Sequence, residues 1–77
     1  NAEDILIKEQ SSQSIKSLIK QLPEEQREVL VLRYYADLSF KEISEMTDVS
    51  INTALGRMRY ALINLRKMID AKKIQLY

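Results

Sequence analysis

Cysteine, histidine and tryptophan are missing from the 77 residues, and glycine and proline occur once each. Without cysteine there is no disulfide and no thiolate nucleophile, and without cysteine or histidine the usual zinc-finger ligand sets cannot be assembled. A single glycine cannot build a glycine-rich phosphate loop. No paired carboxylates stand where a cleft wall is plausible, so nothing remains to run acid-base or nucleophilic chemistry, and an enzyme is not expected. No apolar run approaches the length of a membrane span and no secretory signal is visible. The expectation is a soluble cytoplasmic chain without cofactor or metal, folded as one small domain with little core to spare.

The net charge of +1 is mild, yet it conceals a division. Residues 1–49 carry six bases and ten acids, a balance of −4, whereas residues 50–77 carry six bases and one acid, a balance of +5. Lys72 and Lys73 could simply complement a helix dipole near a C-terminus. Arg57 and Arg59 cannot be explained that way, and they give the molecule a basic end.

The chain is organised around Ser39–Met68. Ser39 is a good N-cap, and Glu42 three residues later completes a capping box for a short helix over 40–47. Thr47-Asp48-Val49 interrupts it, and Ser50 can cap a second, longer helix over 51–70. Two helices on so short a turn have the form of a helix-turn-helix, whose second helix enters the DNA major groove. The same spacing also suits an ordinary helical hairpin. At about 100° per residue, Ile51, Ala54, Leu55, Met58, Leu62, Leu65 and Ile69 form an apolar stripe. Asn52, Thr53, Gly56, Arg57, Arg59, Tyr60, Asn64 and Lys67 lie opposite. No acid occurs from Ser50 to Met68. A merely solvated helix would usually mix Glu with Lys; this one offers donors with no charge to repel phosphate.

Ahead of that unit, Ile15, Leu18, Ile19 and Leu22 follow helical spacing over 11–21. Pro23 suits the first position of a second helix running to about Ala36, with Glu24 and Glu25 favourable in its first turn. Val29, Leu30, Val31, Leu32, Tyr34 and Tyr35 surround this helix, so burial on more than one side is expected. Arg33 interrupts them, as a snorkelling or salt-bridged residue or as a phosphate contact. The fold class expected is all-α: a small four-helix domain containing a helix-turn-helix, with Ile19, Leu22, Leu30, Ile43, Met46, Ile51, Met58 and Leu62 as its core. Residues 1–10, with the triplet Ile5-Leu6-Ile7, read as a linker or the end of an interdomain segment, and 11–77 as the domain.

Opposite the apolar stripe, Asn52, Gly56, Arg59 and Tyr60 should look into the groove, while Lys41, Thr53 and Arg57 should lie nearer phosphates. Lys41 could equally be a solvated lysine, and Gly56 either a point of close backbone approach or a tolerated small residue.

The opening LPEEQREV, LRYY followed by LSFKEIS, and SINT before RMRYAL stand in an order and spacing that resemble region 4, the C-terminal promoter-recognition domain of bacterial sigma factors. Leu22–Ile69 is similar most of all to the extracytoplasmic-function (ECF) type. The resemblance implies an all-helical domain that binds the upstream (minus thirty-five) promoter element and docks on the β flap of RNA polymerase, with an anti-sigma factor as a further partner in some members. For docking, the apolar candidates are Ile15, Leu18, Leu30, Val31, Tyr34 and Tyr35. The chain departs from many relatives at Asp48, where they have Gly, and at Leu55 and Tyr60, where they place a cation. With no dimerisation helix visible, a monomer that binds DNA weakly and relies on tethering is expected. A stand-alone helix-turn-helix regulator or response-regulator output domain would instead dimerise on a palindrome, and a protein-interaction module would not read DNA.

Overall fold

The computed structural model describes the backbone of residues 15–75 and the side chains of residues 15–72. The 1–10 segment and the first turn of the helix expected from residue 11 lie outside these residues. Four helices follow one another: α1 (residues 15–20), α2 (Glu24–Tyr34), α3 (Phe40–Thr47) and α4 (Ile51–Gln75), with no strand among the described residues. The long α4 packs across both α2 and α3.

Each boundary has a local cause. Pro23 sits one position earlier than the sequence suggests, as the cap before Glu24, with φ −52° and ψ 146°. Its carbonyl accepts from Arg27 N–H at 2.9 Å, so its missing N–H costs nothing. α2 stops at Tyr34, short of Ala36, and Asp37 then takes a left-handed conformation with φ 57°. The chain doubles back there, and Leu38 N–H reaches Leu32 O at 3.1 Å, which satisfies a carbonyl of the last turn of α2. Arg33 secures this turn: its Nη1 donates to Leu38 O at 2.9 Å, and its guanidinium lies 5.3 Å from the centre of the Phe40 ring. Among the described residues no carboxylate pairs with it; these contacts are structural.

The capping box of α3 is complete. Glu42 N–H donates to Ser39 Oγ at 3.1 Å, and Ser39 N–H donates to Glu42 Oε1 at 3.0 Å. The Ser39 N–H first, and its side chain second, hold the Glu42 carboxyl below its ordinary pKa. A depressed folded-state pKa contributes stability above the unfolded-state value, and this is lost as pH falls through the folded-state value. Glu42→Gln should therefore flatten the acid limb of a urea-melt stability profile relative to the parent chain. Ser39→Ala should cost about 0.5–2 kcal/mol at neutral pH, from the lost cap.

Val29, Leu30, Ile43, Ala54, Met58 and Ala61 meet at the centre, with Ile19 and Leu22 closing one end. Five expected core residues (Ile19, Leu22, Leu30, Ile43, Met58) are buried. Met46, Ile51 and Leu62 are not: they are 68%, 44% and 42% exposed. On α3 the inward positions are Phe40, Ile43, Ser44 and Thr47, an i, i+3, i+4, i+7 set that excludes Met46. Ser44 and Thr47 can sit there because their hydroxyls are satisfied locally, on Lys41 O and Ile43 O, each at 2.7 Å. On α4 the buried line runs through Ala54, Met58 and Ala61, with Leu65 and Met68 packed against it. The two alanines admit close approach of neighbouring helices, and that choice turns Ile51, Leu55 and Leu62 onto a flank. Nor is α2 buried all round, since Val31, Tyr34 and Tyr35 are exposed.

Candidate nucleic-acid interface

The turn of the helix-turn-helix closes on Asp48, whose φ 56° and ψ 45° are left-handed. Glycine would take this conformation without strain; among other residues Asp is one of the few that visits it routinely. Asp48 N–H and Val49 N–H both reach back to Ser44 O, which ends α3 cleanly. Val49 packs on the core, and Ser50 then opens α4. Thr53 N–H donates to Ser50 Oγ at 3.1 Å, while the Ser50 hydroxyl donates to Thr53 Oγ1 at 3.0 Å. This fixes the first turn of α4 and leaves the Thr53 hydroxyl proton free to donate outward.

Of the residues expected to look into a groove, Asn52, Arg59 and Tyr60 are exposed, and Gly56 is half-buried between them. They share the side of α4 opposite Ala54, Met58 and Ala61. A Cβ built on Gly56 would meet nothing within 4 Å. Packing therefore does not demand glycine there. Gly56→Ala should stabilise the helix by about 0.8–1.0 kcal/mol. Thermal melts should show the gain, and a simultaneous loss of DNA affinity would identify Gly56 as a point of close backbone approach.

The phosphate candidates divide. Lys41 is exposed in the first turn of α3. Arg57 is turned inward toward the first turn of α2, where its Nη2 lies 3.7 Å from Glu25 Oε1. Because Glu25 is largely exposed, such a pair is worth only about 0–1 kcal/mol, and a phosphate could compete for the guanidinium. Asn64, on the same flank, is committed to the fold by donating to Gln26 Oε1 at 2.8 Å. Arg59, Arg66 and Lys67 are all exposed and lie away from Ala54, Met58 and Ala61, so the outer surface of α4 is the basic one.

A second feature lies farther along α4. Ile15, Ile19, Leu30, Tyr34, Tyr35, Leu62 and Leu65 line an apolar groove of about 310 Å³ between α1, α2 and α4. Four of the six docking candidates (Ile15, Leu30, Tyr34, Tyr35) line it; Leu18 is buried, and Val31 is exposed without lining it. Sequence reasoning missed Leu62 and Leu65, which it assigned to the core stripe. Leu62 follows Ile51 by eleven residues, about 16 Å along the helix. The groove and the N-terminal face of α4 are thus separate surfaces.

No helix among the described residues is long and apolar enough to cross a membrane, and no cluster of acidic residues there could hold a metal ion. Residues 12–62 match the family of sigma-70, region 4. The chain is 31% identical over 67 residues to the ECF RNA polymerase sigma factor SigK of Mycobacterium tuberculosis, covering 87% of this chain and 36% of that protein. It is 33% identical over 67 residues to the ECF RNA polymerase sigma factor SigW of Bacillus subtilis, with the same coverage. RNA polymerase sigma factor SigZ of Bacillus subtilis is 33% identical over 70 residues, covering 91% of this chain and 40% of SigZ. The chain therefore spans between 36% and 40% of the length of these relatives. With the family match running through α3 and into α4, the chain belongs to the sigma-70 region 4 family.

Proposed function

We propose that this chain is the promoter-recognition domain of a sigma factor, with α4 reading the upstream (minus thirty-five) element and the apolar groove docking on the β flap of RNA polymerase. The observation that carries this reading is the pairing of an exposed, acid-free face at the start of α4 with an open apolar groove on the same small domain. Base readout falls to Asn52, Gly56, Arg59 and Tyr60, and phosphate contact to Lys41, Thr53 and Arg57. Asn can pair with adenine and Arg with guanine through two hydrogen bonds each, so these side chains suit direct readout. Docking falls to Ile15, Leu30, Tyr34 and Tyr35, joined by Leu62. An anti-sigma factor that covered either surface would silence the domain. Such work is done in the cytoplasm and involves no catalysis.

Two weak contacts suffice when one polymerase holds two promoter-reading modules, because the second contact becomes intramolecular and avidity rises by about 10²–10⁴. Selection from a random duplex pool tests the DNA half of this reading. One asymmetric element bound by a single chain is expected. A palindrome bound by two chains would favour a stand-alone dimeric regulator instead.

A further inference from the structure

Leu55 lies on α4 between two proposed groove-facing residues, three positions after Asn52 and four before Arg59. It is 43% exposed, although Ala54 beside it is fully buried. Among the described residues, the core does not account for a large apolar side chain here: its line on α4 passes through Ala54, Met58 and Ala61. Leu55 is also remote from the apolar groove, whose α4 lining begins at Leu62. It stands in the second turn of α4, in the N-terminal portion that a helix-turn-helix brings to base edges. No acid lies between Ser50 and Met68, so this stretch of α4 carries no charge that repels phosphate.

A leucine offers no hydrogen bond to a base. The one apolar group on the major-groove edge of the four bases is the thymine C5-methyl. We infer that Leu55 is a specificity-determining residue that packs on a thymine methyl, so that the element this chain prefers carries a T at the pair facing Leu55. The inference rests on the DNA-reading role proposed above. It adds a hydrophobic discrimination to the polar readout by Asn52 and Arg59, at a base pair that neither of them specifies. Ile51, four residues earlier and 44% exposed, continues the same apolar flank.

The test replaces each thymine of the selected element, one at a time, by deoxyuridine. This removes the methyl and keeps every hydrogen-bonding group. Affinities are read by fluorescence anisotropy for the parent chain and for Leu55→Ala, whose fold is checked by a thermal melt; Leu55→Met serves as a second, apolar variant. One substitution should weaken the parent chain about fourfold, the value of burying a single methyl. Leu55→Ala should bind the thymine and uracil duplexes alike, and Leu55→Met should retain part of the difference. Sequence-specific binding with no methyl-sensitive position, or with a sensitivity that survives in Leu55→Ala, would overturn the inference while leaving the DNA-reading role intact. Loss of flap-peptide binding in Leu55→Ala without any change in methyl sensitivity would assign the side chain to a protein partner, and also overturn it. Absence of sequence-specific binding to any duplex would remove the DNA-reading role itself.

Discussion

Ile43→Ala is expected to lower folding stability by about 2–5 kcal/mol, the range for truncating a fully buried aliphatic side chain. Ile43 is 0% exposed and sits where α3 meets α4 under the turn of the helix-turn-helix. A chain of 77 residues has a total stability of only about 4–12 kcal/mol at the usual yield per residue. The substitution should therefore remove a large share of the total stability. Urea melts followed by circular dichroism would measure this. Met46→Ala, one turn away on the same helix, should change stability by less than about 0.5 kcal/mol because Met46 is exposed. The contrast separates the observed facing of α3 from the one that apolar spacing alone suggests.

Arg59→Ala is expected to relax discrimination at one base pair by about 1–3 kcal/mol, the worth of a two-bond contact to guanine. Arg59 is exposed, and among the described residues it makes no side-chain hydrogen bond or ion pair that would have to break on binding. Lys41→Ala should behave differently. A lysine against a phosphate weakens all sequences alike, and its loss should lower the salt slope of binding by about 0.9. Arg57→Ala mixes both kinds of effect, since it also removes the pair with Glu25. Titrations on matched and scrambled duplexes at several salt concentrations read all three. Equal, sequence-blind losses for Arg59→Ala and Lys41→Ala would exclude base reading by Arg59.

The helix order, the capping box at Ser39 and the cap at Ser50 were legible in the residues, because each depends on local chemistry within a few positions. The left-handed closure at Asp48 was legible too, since a turn that short needs one residue of that kind and Asp is the most tolerant one available there. Its counterpart at Asp37 was not. Leu38 and Ala36 gave no sign that α2 would end at Tyr34, and only the Arg33 contacts with Leu38 and Phe40 reveal why the chain turns there. The facing of α4 was misjudged by part of a turn. Of the expected stripe, Ala54, Met58 and Leu65 do face the core, but its bulkier members Ile51, Leu55 and Leu62 are exposed, and Ala61, which the stripe left out, is fully buried. Packing favoured the alanines, because helices crossing closely need small residues at the contact. That same shift moved Leu62 into the apolar groove and Leu55 onto the outer surface, so the two features most relevant to partners were the least visible in spacing.

The most direct measurement is a nuclear magnetic resonance titration of the isotopically labelled chain, first with its selected DNA element and then with a helical peptide from the β flap tip. The account predicts weak binding of both by a monomer. DNA should shift the amides of Asn52, Gly56, Arg59 and Tyr60, and the peptide should shift those of Leu30, Tyr34, Tyr35 and Leu62. Tight dimeric binding to palindromic DNA, with no response to the peptide, would contradict it.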